Sequence, residues 1–348
     1  MHRSTRTRAA DALRIVAIGG GTGLSSLLHG LKQYMHCGGG DDLPGYDLAL
    51  TAVVTVTDDG GSSGRLRRDF DILPPGDIRN CLVAMSEDEA TLSRLFQYRF
   101  SAGKGLKGHS IGNLLLTALT ELNGGDFARA VQHASDVLAT CGNIYPSTAA
   151  NVVLEAVLAD GKHVEGETRI SKSKARIRRI RIKPSRPRPM PETLQAIAEA
   201  DLITLGPGSL FTSVIPNLLV KGIPEAIAES KALKLYVVNL MWQPGETIQF
   251  SAADHVRAIH DHARRKLIDV VAVNTKPISS LLQQRYQEQR AMPVLNDFEE
   301  LAKLGVRVVA RELAADGEKV RHDPAAIADL CIRLGYDARA ARTRAMIA

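Results

Sequence analysis

Residues 13–34 read LRIVAIGGGTGLSSLLHGLKQY, and the fold turns on how they are read. An apolar run through Ile18 gives way to glycines. Leu24, Leu27, Leu28 and Leu31 then recur at helical spacing. Apolar strand, glycine turn and amphipathic helix together open a β-α unit whose strand is buried on both faces. LALTAVVTV at 48–56 is a second strand of this kind, and ALKLYVVNLM at 232–241 and LIDVVAVN at 267–274 repeat it, each followed by loop and helix signals. The segments GVRVVARELAADG (305–317) and DPAAIADLCIRLG (323–335) supply a last strand and helix. Strands alternating with helices predict an α/β fold with a doubly wound, mainly parallel sheet.

Between these units the pattern changes. DEATLSRLFQYRF, SIGNLLLTALTEL and DFARAVQHASDVLAT, spread over 88–140, form a run of helices. NVVLEAVLADGKHVEGETRI at 151–170 alternates as a hairpin does, with Asp160-Gly161 as its turn, and the basic stretch after it adds a further strand. Residues 1–13 read as a disordered basic tail. Residues 14–340 read as a single nucleotide-binding unit with a helical and β-hairpin insertion over about 85–190.

The net charge of +6 is local in origin. Residues 172–188, KSKARIRRIRIKPSRPR, hold nine Lys/Arg and no acid; without them the chain would carry −3. That run is read as a solvated edge hairpin protected by its charge rather than as a nucleic-acid surface. Aromatic residues make up only 4%, which argues against base-stacking platforms. No window has the apolar length of a spanning helix, and no apolar h-region precedes the first strand, so neither membrane insertion nor secretion is expected. Cys37, Cys81, Cys141 and Cys331 are scattered without a CxxC pair, the pattern of reduced cytoplasmic thiols.

Ligands of open α/β sheets bind beyond the carboxyl ends of the strands, and the unusual segments cluster there. In AIGGGTG (17–23), Gly20, Gly21, Thr22 and Gly23 let backbone approach a phosphate at a helix start, while the incomplete GxGxxG spacing weakens a dinucleotide reading. In TVTDDGGSSGRLRRDF (55–70), Asp58 and Asp59 suit Mg²⁺, the glycines with Ser62 and Ser63 suit a phosphate nest, and Arg65 suits an anion clamp. A mobile loop whose acids and arginines pair with one another is the plain alternative. PPGDIRN (74–80) offers Asp77, Arg79 and Asn80, and GHSIGN (108–113) offers His109 and Asn113 at another helix start. Asp58 and His109 are the candidates for acid–base work, though N-capping by Ser110 explains the second segment as well. LGPGSLFTS (205–213) is a second anion cradle, with Gly206, Pro207, Gly208, Ser209 and Thr212. Asn239 and Gln243 in NLMWQPGET (239–247) can read a base or a sugar.

These blocks, in order and in register from about residue 14 to about 275, resemble the gluconeogenesis factor family (YvcK-type), part of a CofD-like superfamily with the 2-phospho-L-lactate transferases. The resemblance implies a Rossmann-like fold, commonly a homodimer. It also implies a cytoplasmic protein that binds a UDP-sugar such as UDP-N-acetylglucosamine and links gluconeogenic growth to cell-wall synthesis and cell shape through an unidentified protein partner. Gly20–Gly23 and Gly206–Ser209 match its two glycine loops, and Asp58 and Asp59 match the acidic pair that holds metal in the transferases. GPGSLFTSVIPNLL departs from the transferase form of the second loop. The expectation is therefore a non-catalytic nucleotide-sugar-binding protein, with a Mg-dependent phosphoryl or nucleotidyl transferase as the alternative.

Overall fold

The structure, a computed structural model, describes residues 12–35, 47–87, 91–173 and 175–347. The basic tail read at 1–13 lies almost wholly outside these residues. The strands are β1 (Leu13–Gly19), β2 (Leu48–Val54), β3 (Asn143–Pro146), β4 (Val153–Leu158), β5 (His163–Glu165), β6 (Ile177–Lys183), β7 (Leu202–Leu205), β8 (Leu233–Val237), β9 (Val270–Asn274) and β10 (Arg307–Arg311). Seven of them form one sheet in the order β10-β9-β8-β7-β1-β2-β3, and every pairing in it is parallel. β5-β4-β6 form a small antiparallel sheet. The chain lays down β1, moves outward through β2 and β3, then returns to the other side of β1 and moves outward again. That reversal, between β1 and β7, is the topological switch point of a Rossmann-like sheet, where a crevice opens at the carboxyl ends of the strands.

β1 is central because every residue in it but Arg14 is buried. Its register runs from Leu13 opposite Leu48 to Gly19 opposite Val54, and from Ile15 opposite Leu202 to Ile18 opposite Leu205. Leu13, Ile15, Ala17 and Ile18 are fully buried. The helix Gly21–Lys32 presents Leu24, Leu27, Leu28 and Leu31 to the core, as their spacing predicts. It packs on helices Gly76–Met85 and Pro324–Ile347. Helices Pro191–Glu199 and Ile215–Leu218 also reach β1, and Ala252–Ala263 packs on the second of these.

The stretch read as one insertion is two excursions, because β3 lies within it and belongs to the main sheet. The helical run precedes β3, and the small sheet follows it. The hairpin at 160–161 forms as read: Gly161 has φ +82° and Lys162 N donates to Asp160 Oδ1 at 3.1 Å. Cys81 and Cys331 are free and buried, whereas Cys141 is disulfide-bonded, which departs from the expectation of reduced thiols. Among the described residues no single helix is long and apolar enough to cross a membrane.

Gly30 marks the tightest helix contact. A Cβ there would lie 2.1 Å from the Pro324 carbonyl oxygen, so helix Gly21–Lys32 and the start of Pro324–Ile347 touch backbone to backbone. Gly30→Ala is therefore expected to destabilise the protein by roughly 1–3 kcal/mol through overpacking, despite alanine's better helix propensity. Urea unfolding checks this; an unchanged or raised midpoint would mean the two helices do not meet in this way.

Candidate functional site

The two glycine loops meet at the switch point. A Cβ on Gly23 would lie 2.4 Å from the Pro207 carbonyl oxygen, and one on Gly208 3.2 Å from the Gly20 oxygen, so only glycine lets the loops touch. Gly206 and Gly208 adopt φ of +72° and +157°. The chain then passes through one π-helical segment, Leu210–Val214, into Ile215–Leu218. From there Asn217 Nδ2 donates to Ser213 O at 2.8 Å and to Gly19 O at 3.2 Å, tying the second loop to the end of β1.

A cavity of 490 Å³ opens on these loops. Gly20 to Gly23 and Pro207 to Ser209 form one side, and Asn239 and Gln243 lie beyond β8. A chain of amides crosses it: Asn239 Nδ2 donates to Gln243 Oε1 at 2.9 Å, and Gln243 Nε2 donates to Ser209 Oγ at 2.8 Å. Gly20 N-caps helix Gly21–Lys32 without a side-chain hydrogen bond, and no acid stands in its first turn. Asp77 takes the Gly21 N–H, and the other amides of the first turn and the positive dipole end are left for an anion.

Carboxyl groups gather behind this surface. Asp77 accepts the Gly21 N–H, and burial, with Asp58 nearby, pushes it up to about 6. Glu246 is buried and accepts from Phe211 N at 3.2 Å and Thr212 Oγ1 at 3.1 Å; burial raises it to about 7. Glu167, on helix Glu167–Ser171 of the small-sheet excursion, is raised to about 9 by burial and by Asp58, Asp77, Glu246 and Asp59. That helix is clamped in place: Asp59 Oδ1 accepts from Thr168 N at 2.9 Å and from Thr168 Oγ1 at 2.6 Å.

The residues read from the sequence therefore divide. Gly20, Gly21, Thr22, Gly23, Pro207, Gly208, Ser209, Asn239 and Gln243 line the cavity. Gly206 sets the backbone turn and Thr212 holds Glu246. Ser62, Arg79, His109 and Asn113 instead form a buried network. Ser62 Oγ lies 3.0 Å from His109 Nδ1 and accepts from Asn113 Nδ2 at 3.1 Å, while Arg79 reaches Ser110 Oγ, Asn113 Oδ1 and Asn80 Oδ1. Burial and the Arg65 charge lower the His109 pKa. Ser110 is the N-cap of its helix. Arg65 donates to Lys107 O at 2.9 Å, and Ser63 is buried against Gly76. These groups join helices Gly61–Phe70, Gly76–Met85 and Ile111–Leu122, and none of them lines the cavity.

The acidic pair does not form a protein-built metal cage. Asp59 is committed to Thr168, and among the described residues no set of three His, Cys, Asp or Glu groups is arranged to hold an ion. Asp58 accepts from Gly60 N through Oδ1 only, so it can share a Mg²⁺ with phosphate oxygens, the usual mode for that ion. The sequence reading missed Glu167, Glu246, Trp242, Tyr286 and Arg321. Glu246 and Trp242 lie inside a block already singled out. Arg321 sits in a loop beyond β10 with no glycine or hydroxyl pattern to mark it, and is the sole Lys or Arg lining the cavity among the described residues.

The fold is that of a CofD-like, Rossmann-like α/β protein. Residues 15–314 match the family model described as 2-phospho-L-lactate transferase CofD. The chain is 45% identical over 316 residues to the gluconeogenesis factor of Halalkalibacterium halodurans, covering 90% of this chain and 94% of that one. It is 44% identical over 322 residues to the gluconeogenesis factor of Bacillus subtilis, covering 92% and 98%. A crystal structure of a Bacillus halodurans protein superposes with a TM-score of 0.87 at 43% identity, over 92% of this chain and all of that one. The chain belongs to the gluconeogenesis factor family.

The raised carboxyls have a measurable consequence. The folded protein keeps the Glu246 proton between about pH 4 and 7, where the unfolded chain has lost it. Its contribution to stability is present below about pH 4 and is lost as the pH rises through about 7. Urea midpoints at pH 5 and pH 8 are expected to differ less for Glu246→Gln than for the wild type. An equal difference in both would show that Glu246 is not a buried, protonated group.

Proposed function

We propose that this protein is a regulatory protein that binds a UDP-sugar of the UDP-N-acetylglucosamine type and ties carbon supply during gluconeogenic growth to cell-wall synthesis and cell shape. The observation that carries the reading is the joining of two glycine loops around one cavity at the β1/β7 switch point. A diphosphate fits the start of helix Gly21–Lys32 beside the Gly21 N–H that Asp77 takes, with Arg321 as its counter-charge. Trp242, Tyr286 and the Asn239–Gln243–Ser209 amide chain then take the base or the sugar. The volume of 490 Å³ falls in the range of pockets for ligands of this size, about 300–1,000 Å³. The relatives' name, gluconeogenesis factor, supports the physiological half of the reading.

Binding is favoured over group transfer because neither His109 nor Asp58, the two acid–base candidates, lines the cavity, and Glu246, which does, already accepts from Phe211 N and Thr212 Oγ1. Asp59 of the acidic pair is committed to the helix Glu167–Ser171.

Isothermal titration with UDP-N-acetylglucosamine, UDP-glucose and GDP, each with and without Mg²⁺, tests the proposal. The UDP-sugars are expected to bind and to be recovered intact. Arg321→Ala is expected to weaken them by roughly 10- to 100-fold, the worth of a charge-assisted contact, with no change in unfolding midpoint. Heat from GDP alone, dependent on Mg²⁺, would overturn the reading in favour of a transferase.

A further inference from the structure

The basic run at 172–188 is not uniformly solvated. A groove of 620 Å³ lies between β6, residues 218–225 and the end of helix Ala252–Ala263. Arg179, Arg181, Arg186, Lys221 and Arg264 line it, and among the described residues none of the five has a carboxylate within ion-pair distance. Its two acids are already engaged. Glu155 faces His163 at 2.5 Å and Lys183 at 3.2 Å, and Glu225 faces Arg265 at 3.2 Å while capping Gly222 N at 3.0 Å. The neighbouring 570 Å³ groove on the other flank of β6 differs. There Asp254 and Asp261 stand among the arginines, and Arg257 bonds Asp254 at 3.1 Å.

The lining narrows the kind of partner. Ile180, Ile182, Leu218, Val220, Pro224 and Ala263 line it but are buried, and no Phe, Tyr or Trp is present among the described lining residues to stack a base. On the edge of β6, Ile180 N already donates to His262 Nε2 at 3.0 Å. What the groove presents is a set of cations, exposed at Arg181, Arg186, Lys221 and Arg264 and half-buried at Arg179.

We propose that this groove docks an acidic segment of a partner protein. Its carboxylates meet Arg179, Arg181, Arg186, Lys221 and Arg264. The groove is separate from the nucleotide cavity, but one segment joins them: Ser209 lines the cavity and Lys221 lines the groove.

The test is fluorescence anisotropy of the full-length protein with a labelled short polyglutamate peptide, and with a thymidine oligonucleotide of equal charge. The peptide is expected to bind at low salt and to dissociate as salt rises. Arg181→Glu combined with Arg186→Glu should weaken it by roughly tenfold or more, whereas Arg178→Glu, on the balanced flank, should leave it nearly unchanged. All three positions are exposed, and unfolding midpoints confirm that the variants remain folded. An absence of peptide binding at low salt, or binding indifferent to the double reversal, would refute the proposal. Oligonucleotide binding that equals the peptide's and displaces it would replace the proposal with a nucleic-acid surface.

Discussion

The contact on which the rest of this structure depends is the one between Gly23 and the Pro207 carbonyl. Two strands that are neighbours in the sheet, β1 and β7, are separated in sequence by almost the whole helical run and the small sheet. Their loops can touch only because no Cβ stands between them. A side chain at Gly23 would need space that backbone already fills, and backbone cannot rotate away as a flexible side chain can. The cavity, the exposed helix start and the position of Ser209 all follow from that approach.

Behind the loops lies a set of carboxyl groups whose pKa values desolvation raises, to about 6 for Asp77, about 7 for Glu246 and about 9 for Glu167. Asp77, Glu167 and Glu246 come from three different parts of the chain, and each also secures a neighbour or sits among groups that do. Asp77 takes a backbone N–H from the first glycine loop, and Glu246 takes one from the segment after the second. In this way polar side chains fix loops that cannot be held by ladder hydrogen bonds, since loops run beyond the sheet.

The fold was legible because its signals are local and strong. Five apolar strand runs, glycine turns and leucine spacing specify a parallel sheet with helices, and β1 with its helix is seen where it was read, whereas the four-residue β3 carries no such run. The family follows from blocks quoted directly from the chain. The cavity was legible in its glycine loops and amides, which announce themselves by composition. It was less legible elsewhere, for two physical reasons. Ser62, Arg79, His109 and Asn113 have the residue types of a catalytic site, yet they satisfy one another in a buried network, and residue type alone does not distinguish those outcomes. Arg321 and Glu167 reach the site from distant excursions, and their placement depends on tertiary packing that no local pattern encodes.

The strand order carries a consequence for how the protein comes to be folded. β1 is made first, yet its partner β7 arrives nearly two hundred residues later, and Asp201 beside β7 accepts the Arg14 N–H at 3.0 Å. Half of the cavity is therefore a contact of very high sequence separation, the kind whose loop-closure cost is met late in folding. Until β7 docks, the N-terminal half presents an unpaired edge of β1, with Ile15 and Ile18 among its residues. The nascent chain thus carries an open, apolar sheet edge through most of its synthesis, and closing that edge is the same event that completes the cavity.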